Sequence, residues 1–211
     1  MNILDEIKTS ITQGSVSISD ILRKTLELAY ILNNDELKNW VNKELDGYDE
    51  NDGIPDYRKI NCESIGNFNG PFGSGLKNYP IPSMCLPPNL REQANKMVFV
   101  DGIKTIESMV QNSKENVITF IWPANIIALC QDARIYENMS LVSASRIVGK
   151  GSLQQIIDQI KTRLLRFILE LSSKNPSAET DDQIKKIKKS EIEEVYESCI
   201  SGSYKSTKVL D

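Results

Sequence analysis

GSLQQIIDQIKTRLLRFILELSS, Gly151 to Ser173, is the stretch whose reading decides the fold class. Leu153, Ile156, Ile157, Ile160, Leu164, Ile168 and Leu171 recur three or four residues apart, which places them on one stripe of an α-helix. Gln155, Asp158, Gln159, Lys161, Thr162, Arg163 and Arg166 fall mostly opposite. Leu165, Phe167 and Leu169 widen the apolar band, so burial on more than one side is expected. Gly151 permits the turn into the helix, Ser152 is a good N-cap, and Asn175-Pro176 forbids continuation. A helix this long and apolar needs other elements packed on it. It says how the protein is built, not what it does.

Working outward toward the N-terminus, Met139 to Val148 alternates Leu141, Ser143, Ser145 and Ile147 against Val142, Ala144, Arg146 and Val148, a strand signal leading into the long helix. Pro123 to Cys130 fits a short helix with proline in its first turn. Asn116 to Ile121 is β-branched and apolar, a strand. Val98 to Asn112 carries Val100, Ile103, Ile106, Met109 and Val110 at helical spacing, and Leu90 to Met97 reads as a helical turn or two. Ile81 to Pro88 holds three of the eight prolines and is expected to be extended. Gly70 to Lys77, GPFGSGLK, superficially has the look of a phosphate-binding loop. Leu76 stands where the lysine should follow the second glycine, and Asn78-Tyr79-Pro80 replaces the helix start, so it reads as a structural loop. Tyr57 to Asn69 is one strand or two short ones.

Tyr48 to Asp56 is a loop rich in acids. Asp49, Glu50, Asp52 and Asp56 invite a metal-site reading, but the ligand alternation of a calcium loop is absent and a solvated loop is expected. Three amphipathic helices precede it. Residues 2 to 12 present Ile3, Leu4, Ile7 and Ile11. Ile18 to Leu32, capped by Ser17, presents Ile18, Ile21, Leu22, Thr25, Leu28, Ala29 and Leu32. Asp35 to Leu45 presents Leu37, Trp40, Val41 and Leu45 and stops at Gly47. The short Asn33-Asn34 link makes the last two a helical hairpin.

Beyond Pro176 a polar, acidic stretch leads to QIKKIKKSEIEEVYESCIS, which resumes helical spacing through Ile184, Ile187, Ile192, Val195 and Cys199. Ile184, Ile187 and Val195, with Lys185, Lys186, Lys188 and Lys189, are the candidate partner-binding residues. The lysine run is flanked by acids and lacks aromatic interleaving, so a solvated helix face is favoured over a nucleic-acid patch. Gly202 to Asp211 ends the chain as a terminal strand or tail.

The fold class expected is α+β and helix-dominated. It comprises an N-terminal helical hairpin, a few short strands, a long amphipathic helix near residues 152–173 and a C-terminal helix. Residues 1–175 would form the domain and 176–211 a helix and tail packed on it or on a partner. The formal net charge of −4 gives no general reason to bind nucleic acid. No apolar run reaches bilayer length, and the N-terminus lacks a signal peptide's order of basic then apolar residues. Cys62, Cys85, Cys130 and Cys199 are far apart, which reads as four cytosolic thiols, most of them small buried hydrophobes. The chain has no histidine. That excludes the Ser-His and Cys-His nucleophile pairs and the His-containing zinc sites. An enzyme built here would need carboxylates, lysine, tyrosine or a supplied cofactor. Asp56, Arg58, Lys59 and Glu63 are the compact polar set for that alternative, a magnesium-dependent nuclease; the preferred reading assigns no catalytic residue, no cofactor and no metal.

Four segments together resemble a known family. They are ILRKTLELAYILNNDELKNWVNKELDGY at Ile21 to Tyr48, IPDYRKI at Ile54 to Ile60, VSASRIVGKGSLQQIIDQIKTRLLRFILEL at Val142 to Leu171, and VYESCISGSY at Val195 to Tyr204. Their order resembles the AbiTii domain, named for one of two proteins of a bacterial abortive-infection system. The resemblance implies a toxin-like or sensor/adaptor component of phage defence, and the missing secretion signal makes the cytoplasm its expected location. Such a component would work through protein contacts with a partner from the same operon or with further copies of itself. No catalytic motif comes with the family.

Overall fold

The computed structural model describes residues 2–49, 52–131 and 133–202. They divide into two compact units, the first built from residues 1–52, 101–107 and 157–211, the second from 53–100 and 108–156.

The first unit is helical. Helix α1 (Ile3–Gln13) begins at Asn2, whose side chain accepts from the Asp5 amide, and ends at Gly14 in the left-handed region. Helix α2 (Ile18–Ile31) is capped by Ser17, and α3 (Asp35–Asp46) by Asn34. The expected faces are buried: Ile18, Ile21, Leu22 and Leu28 on α2, Leu37 and Val41 on α3. Helices α2 and α3 pack as the expected hairpin. The start of α2 is completed from far away. Glu107, itself buried, accepts from the Ile18 amide at 2.8 Å and from the Ser19 hydroxyl at 2.8 Å. A carboxylate there satisfies two donors and complements the helix dipole.

Helix α7 (Lys150–Lys174) is the long helix of the opening stretch. Ile160, Leu164, Phe167, Ile168 and Leu171 are fully buried, while Leu169 stays half out. The helix starts earlier than expected. The Lys150 amide donates to the Asn116 carbonyl, so Gly151 and Ser152 lie inside the first turn and Ser152 is not the cap.

The C-terminal segment is two helices rather than one, α8 (Asp181–Ile184) and α9 (Lys189–Tyr196), with Lys188 extended between them. The five-residue step from Ile187 to Ile192 breaks helical phase, and the break restores it. After α9 a five-residue π-helical turn, Glu197–Ser201, brings Ile200 inward where plain α-spacing would present Cys199. Ile184, Ile192, Val195 and Ile200 are all buried within this chain. The Asn2 amide donates to the Ala178 carbonyl, the Ile3 N–H to Asp181, Arg163 to the Ile200 carbonyl, and Lys174 pairs with Glu194 at 3.1 Å. The terminal strand or tail expected over 202–211 lies outside the described residues from 203 onward.

The second unit is built on a four-stranded antiparallel sheet in the order β3-β2-β6-β5, from β2 (Glu63–Asn69), β3 (Gly75–Pro80), β5 (Val117–Ile121) and β6 (Ser140–Gly149). Two shorter strands, β1 (Lys59–Asn61) and β4 (Lys96–Val98), form a separate pair. The Tyr57–Asn69 stretch is therefore two strands. The pairing of β4 also explains why α5 spans only Ile103–Asn112, not the whole run from Val98. Val98 is committed to β1, the Phe99 amide donates to the Arg58 carbonyl, and Asp101 bridges Gly47. Gly102 then passes so close to α3 that a Cβ would sit 2.2 Å from the Leu45 carbonyl oxygen. The stretch after Ile81 is extended only in part, because Ser83–Cys85 makes one 3-10 turn.

Strand β6 does not keep the simple alternation its sequence suggests. Asn67 faces Ser143, but the next residue of β2, Phe68, faces Leu141, so Val142 is an extra residue in β6. The bulge inverts the phase. Leu141 is buried on one side of it, and Ala144 and Val148 on the other, while Val142 is 53% exposed. Helices α4 (Pro88–Asn95) and α6 (Ala124–Leu129) complete the unit. Its core gathers Phe68, Ile81, Leu86, Leu90, Ala94, Trp122, Cys130, Ile135, Leu141 and Ala144.

Candidate functional site

Two features of the second unit stand apart from its packing. The first is a cavity of about 200 Å³ lined by Leu90, Gln93, Ala94, Trp122, Pro123, Ile126 and Arg146. Helix α4 contributes Leu90 and Ala94, one turn apart on its buried face, with Gln93 beside them. Trp122 continues strand β5, its amide donating to the Ala144 carbonyl at 2.9 Å, and Pro123 turns the chain into α6. Arg146 sits on β6 opposite Ser64 on one side and Phe120 on the other, in the inward-facing series with Ala144 and Val148.

Two donors of this cavity have no acceptor among the described residues. Trp122 is 5% exposed, and its indole Nε1–H is buried with no partner among the described residues. The Arg146 Nε is buried and unpartnered too. Its Nη1 reaches the Gln93 carbonyl only at 3.4 Å, and no carboxylate among the described residues pairs with it. Burial pushes the nearby Cys62 thiol up from its ordinary pKa, with the Arg146 charge opposing the shift. Cys62 therefore stays a neutral thiol and offers no counter-charge.

The second feature is the tip of the β2–β3 hairpin, Pro71-Phe72-Gly73. Phe72 has φ 54° and ψ 29° and is fully exposed. A bulky side chain in the left-handed region is uncommon and strained. Beside it a shallow groove is lined by Asn67, Leu76, Lys77, Asn78, Val142 and Ser143 among others. The glycine-rich stretch, expected as a structural loop, is a hairpin turn that runs into β3 from Gly75.

The polar set Asp56, Arg58, Lys59 and Glu63 is not gathered into a cluster open to solvent. Asp56 is exposed and pairs with Lys59 at 2.8 Å, which holds its carboxyl below the usual range. Arg58 is fully buried and donates to the Phe99 carbonyl at 2.8 Å. Glu63 opens β2 and borders a separate cleft with Asn61, Cys62, Val117, Ile147 and Gly149. In the acidic loop, Asp52 pairs with Lys43 at 2.6 Å and accepts from the Asp49 amide; Glu50 lies outside the described residues. Among the described residues no group of three or more Cys, Asp or Glu is placed to hold a metal ion.

Of the C-terminal candidates, Ile184 and Val195 are buried inside the chain, and Ile187 is half-buried. Lys185, Lys186, Lys188 and Lys189 are exposed. Lys185 meets Asp182 at 3.4 Å and Lys189 meets Glu193 at 3.7 Å, so the flanking acids do offset the run. All four cysteines are free thiols; Cys62 and Cys130 are buried as expected, but Cys85 is exposed. Among the described residues no helix is long and apolar enough to cross a membrane.

Fold and surfaces together define a helix-dominated α+β protein. A model of the AbiTii family matches residues 2–196 of the 211. The chain belongs to the AbiTii family, and membership implies a role in abortive infection, a bacterial defence against phage. No curated protein and no solved structure matches the chain.

Sequence reasoning passed over both the cavity and the hairpin tip. The signal for the cavity is Arg146, the one charged residue in the series Ala144, Arg146, Val148, facing a Trp-Pro that ends a strand. The signal for the tip is Phe72 between Pro71 and Gly73, where a polar turn residue is usual.

Proposed function

We propose that this chain serves in abortive infection as a sensor or adaptor that works through protein contacts, with the β2–β3 hairpin tip as its anchor. The partner is a protein encoded in the same defence operon. The observation that carries the reading is Phe72. A phenylalanine in water, in a backbone conformation that favours glycine or asparagine, gains nothing for the folded chain alone. Aromatic side chains of this kind are the usual anchors of protein interfaces, where they fill a pocket on the partner. The neighbouring groove offers Asn67, Asn78 and Ser143 to satisfy a polar rim around such an anchor.

The test is phage challenge of cells carrying the native operon with Phe72→Gly, together with co-purification of the operon partner. The substitution relieves the backbone strain, so the protein should melt at an unchanged or higher temperature. Protection and co-purification should both be lost. Full protection by Phe72→Gly, with the partner still bound, would overturn the assignment.

A further inference from the structure

We infer that the cavity between α4, the end of β5 and β6 binds a small carboxylate ligand with a flat apolar body about one ring in size. Its carboxylate would be received by Arg146 and the Trp122 indole N–H. The inference does not rest on the defence reading, because it concerns the isolated chain.

Three observations converge. The first is the donor excess. Trp122 offers one N–H and Arg146 a planar fork of them, and neither the indole nitrogen nor the Arg146 Nε has an acceptor among the described residues. Buried donors left open cost about 1–3 kcal/mol each, so a fold that keeps two of them in one wall keeps them for an acceptor. The second is charge. No carboxylate among the described residues pairs with Arg146, and a guanidinium prefers a bidentate carboxylate over any single neutral acceptor. The unit around it carries nine Lys and Arg against six Asp and Glu, although the whole chain stands at −4. The local field therefore favours an anion. The third is size and lining. The cavity, about 200 Å³, far exceeds the ~10–15 Å³ that holds a single water. Leu90, Ala94, Pro123 and Ile126 supply an apolar remainder that a bare phosphate or chloride would leave unfilled.

Binding would exchange the hydration of the carboxylate for charge-assisted bonds, while the ring displaces water from the apolar wall. A neutral isostere would fill the same space but leave the guanidinium without its counter-charge.

The experiment titrates the purified full chain with benzoate, benzamide and inorganic phosphate. It follows the two tryptophan indole N–H signals by nitrogen-resolved NMR, with Trp122→Phe identifying the Trp122 signal. Benzoate should shift the Trp122 signal saturably. Benzamide and phosphate should each bind at least about tenfold more weakly, the fold-change expected for losing a charge-assisted hydrogen bond or the apolar contact. Arg146→Gln should weaken benzoate by a similar factor while the rest of the spectrum stays in place. Should that variant unfold, the comparison of benzoate with benzamide on the unaltered chain still decides. Equal binding of the two would overturn the role of Arg146. No saturable shift with any probe would mean that the cavity holds water only, and would overturn the inference.

Discussion

The two units answer their sequences differently. In the helical unit nearly every apolar residue that falls on a stripe is buried to the last few per cent, and its polar groups find partners over long distances, as Glu107 does for α2. The sheet-bearing unit holds most of the large exposed apolar residues, among them Phe72, Met84, Ile121, Leu129 and Val142, and it holds Trp122 Nε1 and Arg146 Nε, two of the buried side-chain nitrogens without a partner among the described residues. Within one chain, the first unit is arranged for stability. The second leaves binding capacity unsatisfied, and that capacity is where recognition is to be sought.

The sharpest way to break this contrast is to place a charge in each unit. Leu164→Asp puts a carboxylate among fully buried neighbours on α7 and should cost about 3–5 kcal/mol, a large share of a typical domain's stability. Urea denaturation followed by far-ultraviolet circular dichroism reads it. A soluble variant with an unchanged midpoint would show that the stripe is not the core. Next in size is Glu107→Ala. It strips the acceptor from the Ile18 N–H and the Ser19 hydroxyl and should cost about 2–3 kcal/mol. Glu107→Gln, which keeps an acceptor, should recover part of the loss; if both variants match the parent, α2 does not depend on this cap.

Part of the pH dependence should come from the helical unit. Burial raises the Tyr196 phenol to about 12 from an ordinary 10.0. The unfolded chain ionises first, so this contribution is whole below pH 10 and is lost as pH climbs toward 12. Tyr196→Phe should flatten that alkaline decline in a melting series. On the acid side, Lys24, Lys38 and Lys43 hold Glu6, Asp35 and Asp52 below their ordinary values through hydrogen bonds, and Ser17 does so for Asp20. Their share is present above about pH 4 and fades below it. The smallest effect expected is that of Ile121→Asp. Ile121 is 79% exposed at the end of β5, so the change should stay within about 0.5 kcal/mol, and a large loss would show that this face is covered.

What was legible in the sequence follows the same division. Helices α1, α2, α3 and α7 declared themselves because each has one continuous period and one buried stripe. The sheet was legible only as strands. The Val142 bulge depends on how β6 lies beside β2, which no single strand's alternation contains. The late start of α5 depends on β4 pairing with β1 and on Gly102 meeting α3, both distant in sequence. The split of α8 from α9 was readable, in the five-residue step from Ile187 to Ile192, but a stripe that resumes in phase is easily taken as unbroken. The cavity needed the fold, since Leu90, Trp122 and Arg146 share nothing but a location.

The long-range closures of the helical unit also set an order of assembly. Helix α2 gains its buried cap only when residue 107 is present, a separation of 89 positions. Helix α1 is tied at its start to Ala178 and Asp181, separations of 176 and 178. Residues 53–156, by contrast, include all four strands of the four-stranded sheet and their pairings. During synthesis the sheet can close while the helices that precede it still wait for partners not yet made. The hydrogen bonds of longest sequence separation therefore lie in the helical unit, and their closure waits on the end of the chain even though its helix pairs α1–α2 and α2–α3 are local. A nascent chain halted before residue 181 would hold a finished sheet and an unfinished helical unit, its apolar stripes open to chaperones and proteases.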